Sequence, residues 1–60
     1  MRVLTISELM RLTRIELCGL KSEITTALPD YPEESHERAD AERSLHNIHR
    51  VLAWYDLAPE

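Results

Sequence analysis

The pattern L-T-x-x-E-L-x-x-L occurs twice in the first twenty residues: Leu4-Thr5-Ile6-Ser7-Glu8-Leu9-Met10-Arg11-Leu12, then Leu12-Thr13-Arg14-Ile15-Glu16-Leu17-Cys18-Gly19-Leu20, which shares Leu12. Each copy specifies a helix start. The threonine serves as N-cap, its hydroxyl taking the N3 amide while the N3 glutamate reaches back, and the flanking leucines form a hydrophobic staple. Two starts so close together leave two readings. Either a short helix runs from about residue 6 to 12 and ends where Thr13 redirects the chain, or one helix runs from Ile6 to Leu28 with Thr13 inside it. A repeated cap and staple serve no purpose in an uninterrupted helix, so the break is favoured.

The second helix is expected over residues 14–28, because Leu17, Leu20, Ile24 and Leu28 recur at spacings of three, four and four, with Ala27 beside them. Pro29 stops it. Pro29-Asp30-Tyr31-Pro32-Glu33-Glu34-Ser35 has the composition of a loop and connects two helices. Ser35 is the expected N-cap of a third helix over about 36–57, with Glu37 in its first turn, where the helix dipole favours negative charge. Ala41, Leu45, Ile48, Leu52 and Tyr55 follow at spacings of four, three, four and three, with Val51 flanking, and Pro59 closes the pattern. No strand alternation is present. The expected fold is all-α: a single domain, 1–60, with a short N-terminal helix and a long antiparallel hairpin.

Sixty residues bury only about 60% of the surface their unfolded chain exposes, so a lone core is marginal. Cys18 is the only cysteine, which excludes an intrachain disulfide, and no Cys/His set has structural-zinc spacing. Self-association or a heterologous partner is the remaining route to stability, and a homodimer completing a four-helix-bundle-like assembly is expected. Eleven acidic against seven basic side chains give a net charge of −4, which argues against a general phosphate-backbone binder. No signal-peptide core or membrane-spanning run is evident, and a free cysteine fits a reducing cytoplasm.

Two surfaces remain outside the core stripes. On the second helix, Ile15, Cys18, Gly19, Ser22 and Thr26 form a small or apolar face. Mid-helix glycine costs about 1 kcal/mol relative to alanine, so Gly19 suggests close approach of another backbone. That backbone is either a second chain or the short first helix folding back through Leu9, Met10 and Leu12. On the third helix, Arg43, Asn47, Arg50 and Trp54 lie roughly opposite the core stripe. These residue types suit a protein-binding hot spot, and they also suit phosphate pairing with base stacking. The plainer reading is a solvated face with Trp54 partly covered by the N-terminal helix or a chain terminus.

Glu42, His46 and His49 share adjacent turns but lack a metal-site pattern, so helix-surface contacts are expected rather than a ligand set. Cys18 is expected to be a half-buried small hydrophobe, far from the helix N-terminus that would activate a thiol. No carboxylate pair is placed for acid/base work, so neither an enzyme nor a cofactor is expected. Asp30, Glu33, Glu34, Glu37 and Asp40 cluster around the loop, where an inhibitor or mimic of the small anti-CRISPR kind would present carboxylates to a basic groove.

The runs L-T-R-I-E-L, A-L-P and L-H-N-I-H-R-V-L resemble those of short, uncharacterised bacterial helical proteins, over nearly the whole chain. In size and layout the chain is also similar to the Rop-type proteins, whose hairpins dimerise into a four-helix bundle that binds RNA loops. That likeness is architectural: the proline-rich loop and acidic balance depart from the pattern, and no residue set matches the RNA-binding positions. The expected function is a non-enzymatic homodimeric module that holds or regulates another protein. RNA binding through Arg43, Asn47, Arg50 and Trp54, and acidic mimicry, stand as alternatives.

Overall fold

A computed structural model describes residues 2–57, and these form helices, turns and a non-helical N-terminal segment, with no strand among them. Both capping boxes form. Thr5 Oγ1 accepts the Glu8 amide at 3.2 Å while Glu8 Oε1 accepts the Thr5 amide at 3.2 Å, starting α1 (Ile6–Leu9). Thr13 Oγ1 accepts the Glu16 amide at 3.2 Å and Glu16 Oε1 accepts the Thr13 amide at 3.0 Å, starting α2 (Arg14–Ala27). The chain therefore breaks where the second cap placed the break, but α1 is shorter than the expected 6–12. The Arg11 and Leu12 amides bond three residues back, to Glu8 and Leu9, so the helix tightens into a turn before Thr13 extends.

α2 stops one residue before Leu28. Pro29 has no amide proton to continue the ladder, and Leu28–Asp30 form a single 3-10 turn closed by the Tyr31 amide on the Leu28 carbonyl at 3.1 Å. The expected loop thus contains an ordered turn. Ser35 caps α3 (His36–Leu57): its Oγ accepts the Arg38 amide at 3.1 Å and donates to the Pro32 carbonyl at 2.7 Å. Pro59 lies outside the described residues.

α3 is the element against which everything else packs. α2 lies along it, with Arg14 at the start of α2 paired to Asp56 near the end of α3. α1 also packs on α3 and has at most a marginal contact with α2. Leu9, Leu17, Ile24, Ala41, Ile48 and Val51 form the buried core, and Leu20, Leu28, Leu45, Leu52 and Tyr55 are half-buried against it. The α2 and α3 stripes are as expected, with two differences. Val51, expected at the flank, is central, and Leu9 from α1 is fully buried. Both follow from the position of α1, which widens the buried arc of α3 to one side. The chain measures 41 × 18 × 15 Å, and no helix among its described residues is long and apolar enough to cross a membrane.

The first cap is sensitive to acid. A bidentate pair with Arg2, at 2.8 and 2.5 Å, and then the Thr5 amide lower the Glu8 carboxyl from 4.5 to about 2. A carboxyl lowered in the folded state stabilises it above the unfolded pKa, and that contribution fades as pH falls through the folded value. Thermal stability is expected to decline from about pH 4.5 towards pH 2 and to decline less in Glu8→Gln; melting curves across that window test this.

Candidate interaction surfaces

Among the faces of α3, the one beside α1 departs furthest from the sequence-based expectation. Residues 2–5 precede α1 and belong to no helix, and both backbone polar groups of Leu4 are taken by α3 side chains. The Leu4 amide donates to Ser44 Oγ at 3.0 Å, and Asn47 Nδ2 donates to the Leu4 carbonyl at 2.8 Å. Ser44 and Asn47 stand three apart on the helix, so both side chains reach the same strap. Ser44 is fully buried, and no buried side-chain polar atom among the described residues lacks a partner.

Asn47, a member of the expected binding set, has one amide hydrogen engaged with the Leu4 carbonyl and so helps hold the N-terminal segment. Ser44 was not singled out from the sequence, and its one signal is a polar residue between Ala41 and Ile48 on the inward side of the helix. Trp54 remains 52% exposed and meets Tyr55 edge-on, with centroids 5.4 Å apart and planes at 66°. Ile6, Met10, Val51, Trp54 and Arg50 line a groove of about 240 Å³ between α1 and α3. Trp54 thus shares an open groove with Ile6 of α1 and the adjacent Met10. Arg43 and Arg50 are exposed and in no ion pair among the described residues.

The second surface, on α2, is open. Ile15 is 84% exposed, and Cys18, Gly19, Ser22 and Thr26 are all exposed. The short first helix does not fold over this face, because α1 packs on α3 instead and Leu9 is buried in the core. A Cβ added at Gly19 would meet nothing within 4 Å, so no backbone of the same chain makes the close approach that glycine permits. Cys18 is exposed rather than half-buried, because the covering element is elsewhere. A shallow depression lined by Cys18, Lys21, Ser22, Thr25 and Thr26 runs along this face.

The remaining candidates stay dispersed. Glu42, His46 and His49 are exposed, and no three His, Cys, Asp or Glu side chains among the described residues are grouped to hold a metal ion. Asp30, Glu33, Glu34 and Glu37 are exposed and Asp40 is half-buried, a solvated acidic end opposite the Trp54 groove. The far end of α3 is tied down by Tyr55, whose hydroxyl donates to the Leu12 carbonyl at 2.8 Å in the connection between α1 and α2. No family model, curated protein or solved structure matches the chain.

The strap makes a specific energetic demand. Ser44→Ala leaves the Leu4 amide without its acceptor and should cost roughly 1–3 kcal/mol, while Asn47→Ala should cost about 1 kcal/mol. Urea unfolding of the two variants measures both losses, and wild-type stability in both would contradict the clamp.

Proposed function

We propose that this chain is a small, non-enzymatic interaction or regulatory module. In this reading α2 and α3 act as an antiparallel hairpin, two copies associate as a homodimer resembling a four-helix bundle, and the Trp54 groove engages a protein partner. The observation that carries the reading is the uncovered Gly19 face. A mid-helix glycine with open space around it costs helix stability without any gain inside the chain, and the same face exposes Ile15 almost completely. A second α2 against that face recovers both losses, by allowing close helix approach and by burying Ile15.

The small core among the described residues supports the same reading. The fully buried apolar side chains are few, and burial of such groups contributes about 1.5–3 kcal/mol each against about 1.5 kcal/mol of ordering cost per residue. A second interface adds buried area without ordering further chain. The Trp54 groove suits a protein partner because it sets a half-exposed aromatic beside apolar side chains and one unpaired cation. RNA binding is the weaker reading, since Asn47 spends its amide on Leu4 and leaves only Arg43, Arg50 and Trp54.

Gly19→Leu separates interface from folding. Its side chain has room in a single copy and improves helix propensity by about 1 kcal/mol, yet obstructs close approach of a second helix. Sedimentation over a dilution series should give a dimer for wild type and a monomer of undiminished helicity for Gly19→Leu. A wild-type monomer at every concentration would overturn the homodimer.

A further inference from the structure

We propose that two copies of this chain exchange their N-terminal arms, so that residues 2–12 of one copy pack on α3 of the other. This rests on the homodimer reading above in that two copies associate, but the exchanged arms, directed past the Asp56 end of α3, join the copies through a seam other than the Gly19 face. Three observations point to it. The arm belongs to α3 and not to α2: Leu4 is held by Ser44 and Asn47, Leu9 is buried in the same core as Ile48 and Val51, and contact between α1 and α2 is marginal. The same contacts form whichever copy supplies the arm, the condition under which an element is swapped.

The connection between arm and α2 is also convertible. Met10, Arg11 and Leu12 are good helix formers, and the segment 6–18 contains neither proline nor glycine. Ile6, Leu9, Thr13, Leu17, Leu20, Ile24 and Leu28 recur at spacings of three, four, four, three, four and four. The apolar stripe of α2 therefore continues through the break, with Thr13 as its one polar member. The bend is held by local bonds: the Thr13–Glu16 capping box and the Tyr55 hydroxyl on the Leu12 carbonyl. Straightening gives these up and gains helical bonds from the Arg14, Ile15 and Glu16 amides to the Met10, Arg11 and Leu12 carbonyls.

Thirdly, a straightened arm cannot pack on its own α3. Arg14 stands beside Asp56, next to the end of α3, so the turns preceding Arg14 would project past that helix. Ile6 and Leu9 would then be exposed, and the site at Ser44 and Asn47 would be open. The arm of a second copy satisfies both at once, with the complementarity already present within one chain.

The test mixes uniformly 13C-labelled and unlabelled chains, refolds them together at a dimeric concentration and records isotope-filtered NOEs between Leu9 methyls and those of Ile48 and Val51. Exchange predicts intermolecular NOEs at these pairs. Thr13→Ala, which removes the cap, should raise the ratio of exchanged to unexchanged dimer roughly 5-fold per chain, or roughly 30-fold for two. Arg14→Pro occupies the first position of α2, where proline is tolerated, but it breaks a continuous helix; it should keep the dimer mass and lose the intermolecular NOEs. A wild-type dimer with intramolecular NOEs only, or exchange persisting in a helical Arg14→Pro chain, would overturn arm exchange and leave the homodimer standing. A monomer at every concentration would overturn both.

Discussion

A buried serine hydroxyl bonded to a backbone amide forty residues away sets the layout of this chain. Ser44 sits at an inward position of α3 between Ala41 and Ile48, where an unpaired hydroxyl would be costly. The Leu4 amide supplies its partner, and Asn47, three residues on, takes the Leu4 carbonyl. Small side chains at 41 and 44 leave room for a strap to lie close to the helix. The strap in turn precedes α1 and brings Leu9 into the buried core that holds Ile48 and Val51. α3 therefore carries two elements on adjacent sides, the arm on one and α2 on the other, and these two hardly meet.

This arrangement explains which surfaces are occupied and which are open. Since the arm lies on α3, it leaves the outer face of α2 uncovered, and Cys18, Gly19 and Ile15 remain in solvent. The seam between α1 and α3 is incompletely filled, leaving the groove with Trp54 and Arg50 at its edge. The homodimer and the protein partner proposed above would each use one of these open surfaces. Arm exchange would reuse contacts that already exist within one chain, and so requires no additional complementary surface.

Local features were legible in the sequence, and long-range ones were not. Thr5, Thr13 and Ser35 each cap the helix expected of them, because a cap is decided within four residues by hydrogen bonds the motif itself supplies. The stripes through Leu17 and Ile24 and through Ala41 and Ile48 are buried, because periodicity alone defines a helix face. The position of α1 depends on bonds spanning about forty residues, for which sequence spacing carries no signal. A first helix placed over Gly19 satisfied local patterning equally well. Asn47 likewise reads as a surface residue until the Leu4 carbonyl is known to sit against it. The α2 face through Ile15, Cys18, Gly19, Ser22 and Thr26 is exposed, and of its two expected coverings the first helix is absent, since a helix wheel says nothing about which neighbour arrives.

The measurement that tests this account most directly is native-state hydrogen exchange at the Leu4 amide, compared with core amides of α3 such as that of Ile48. Leu4 belongs to no helix, so any protection must come from the bond to Ser44. The Leu4 amide is expected to be protected to a degree approaching that of the α3 core, with protection lost in Ser44→Ala. A Leu4 amide that exchanges as freely as an unstructured terminus, in a chain whose α3 core remains protected, would contradict it.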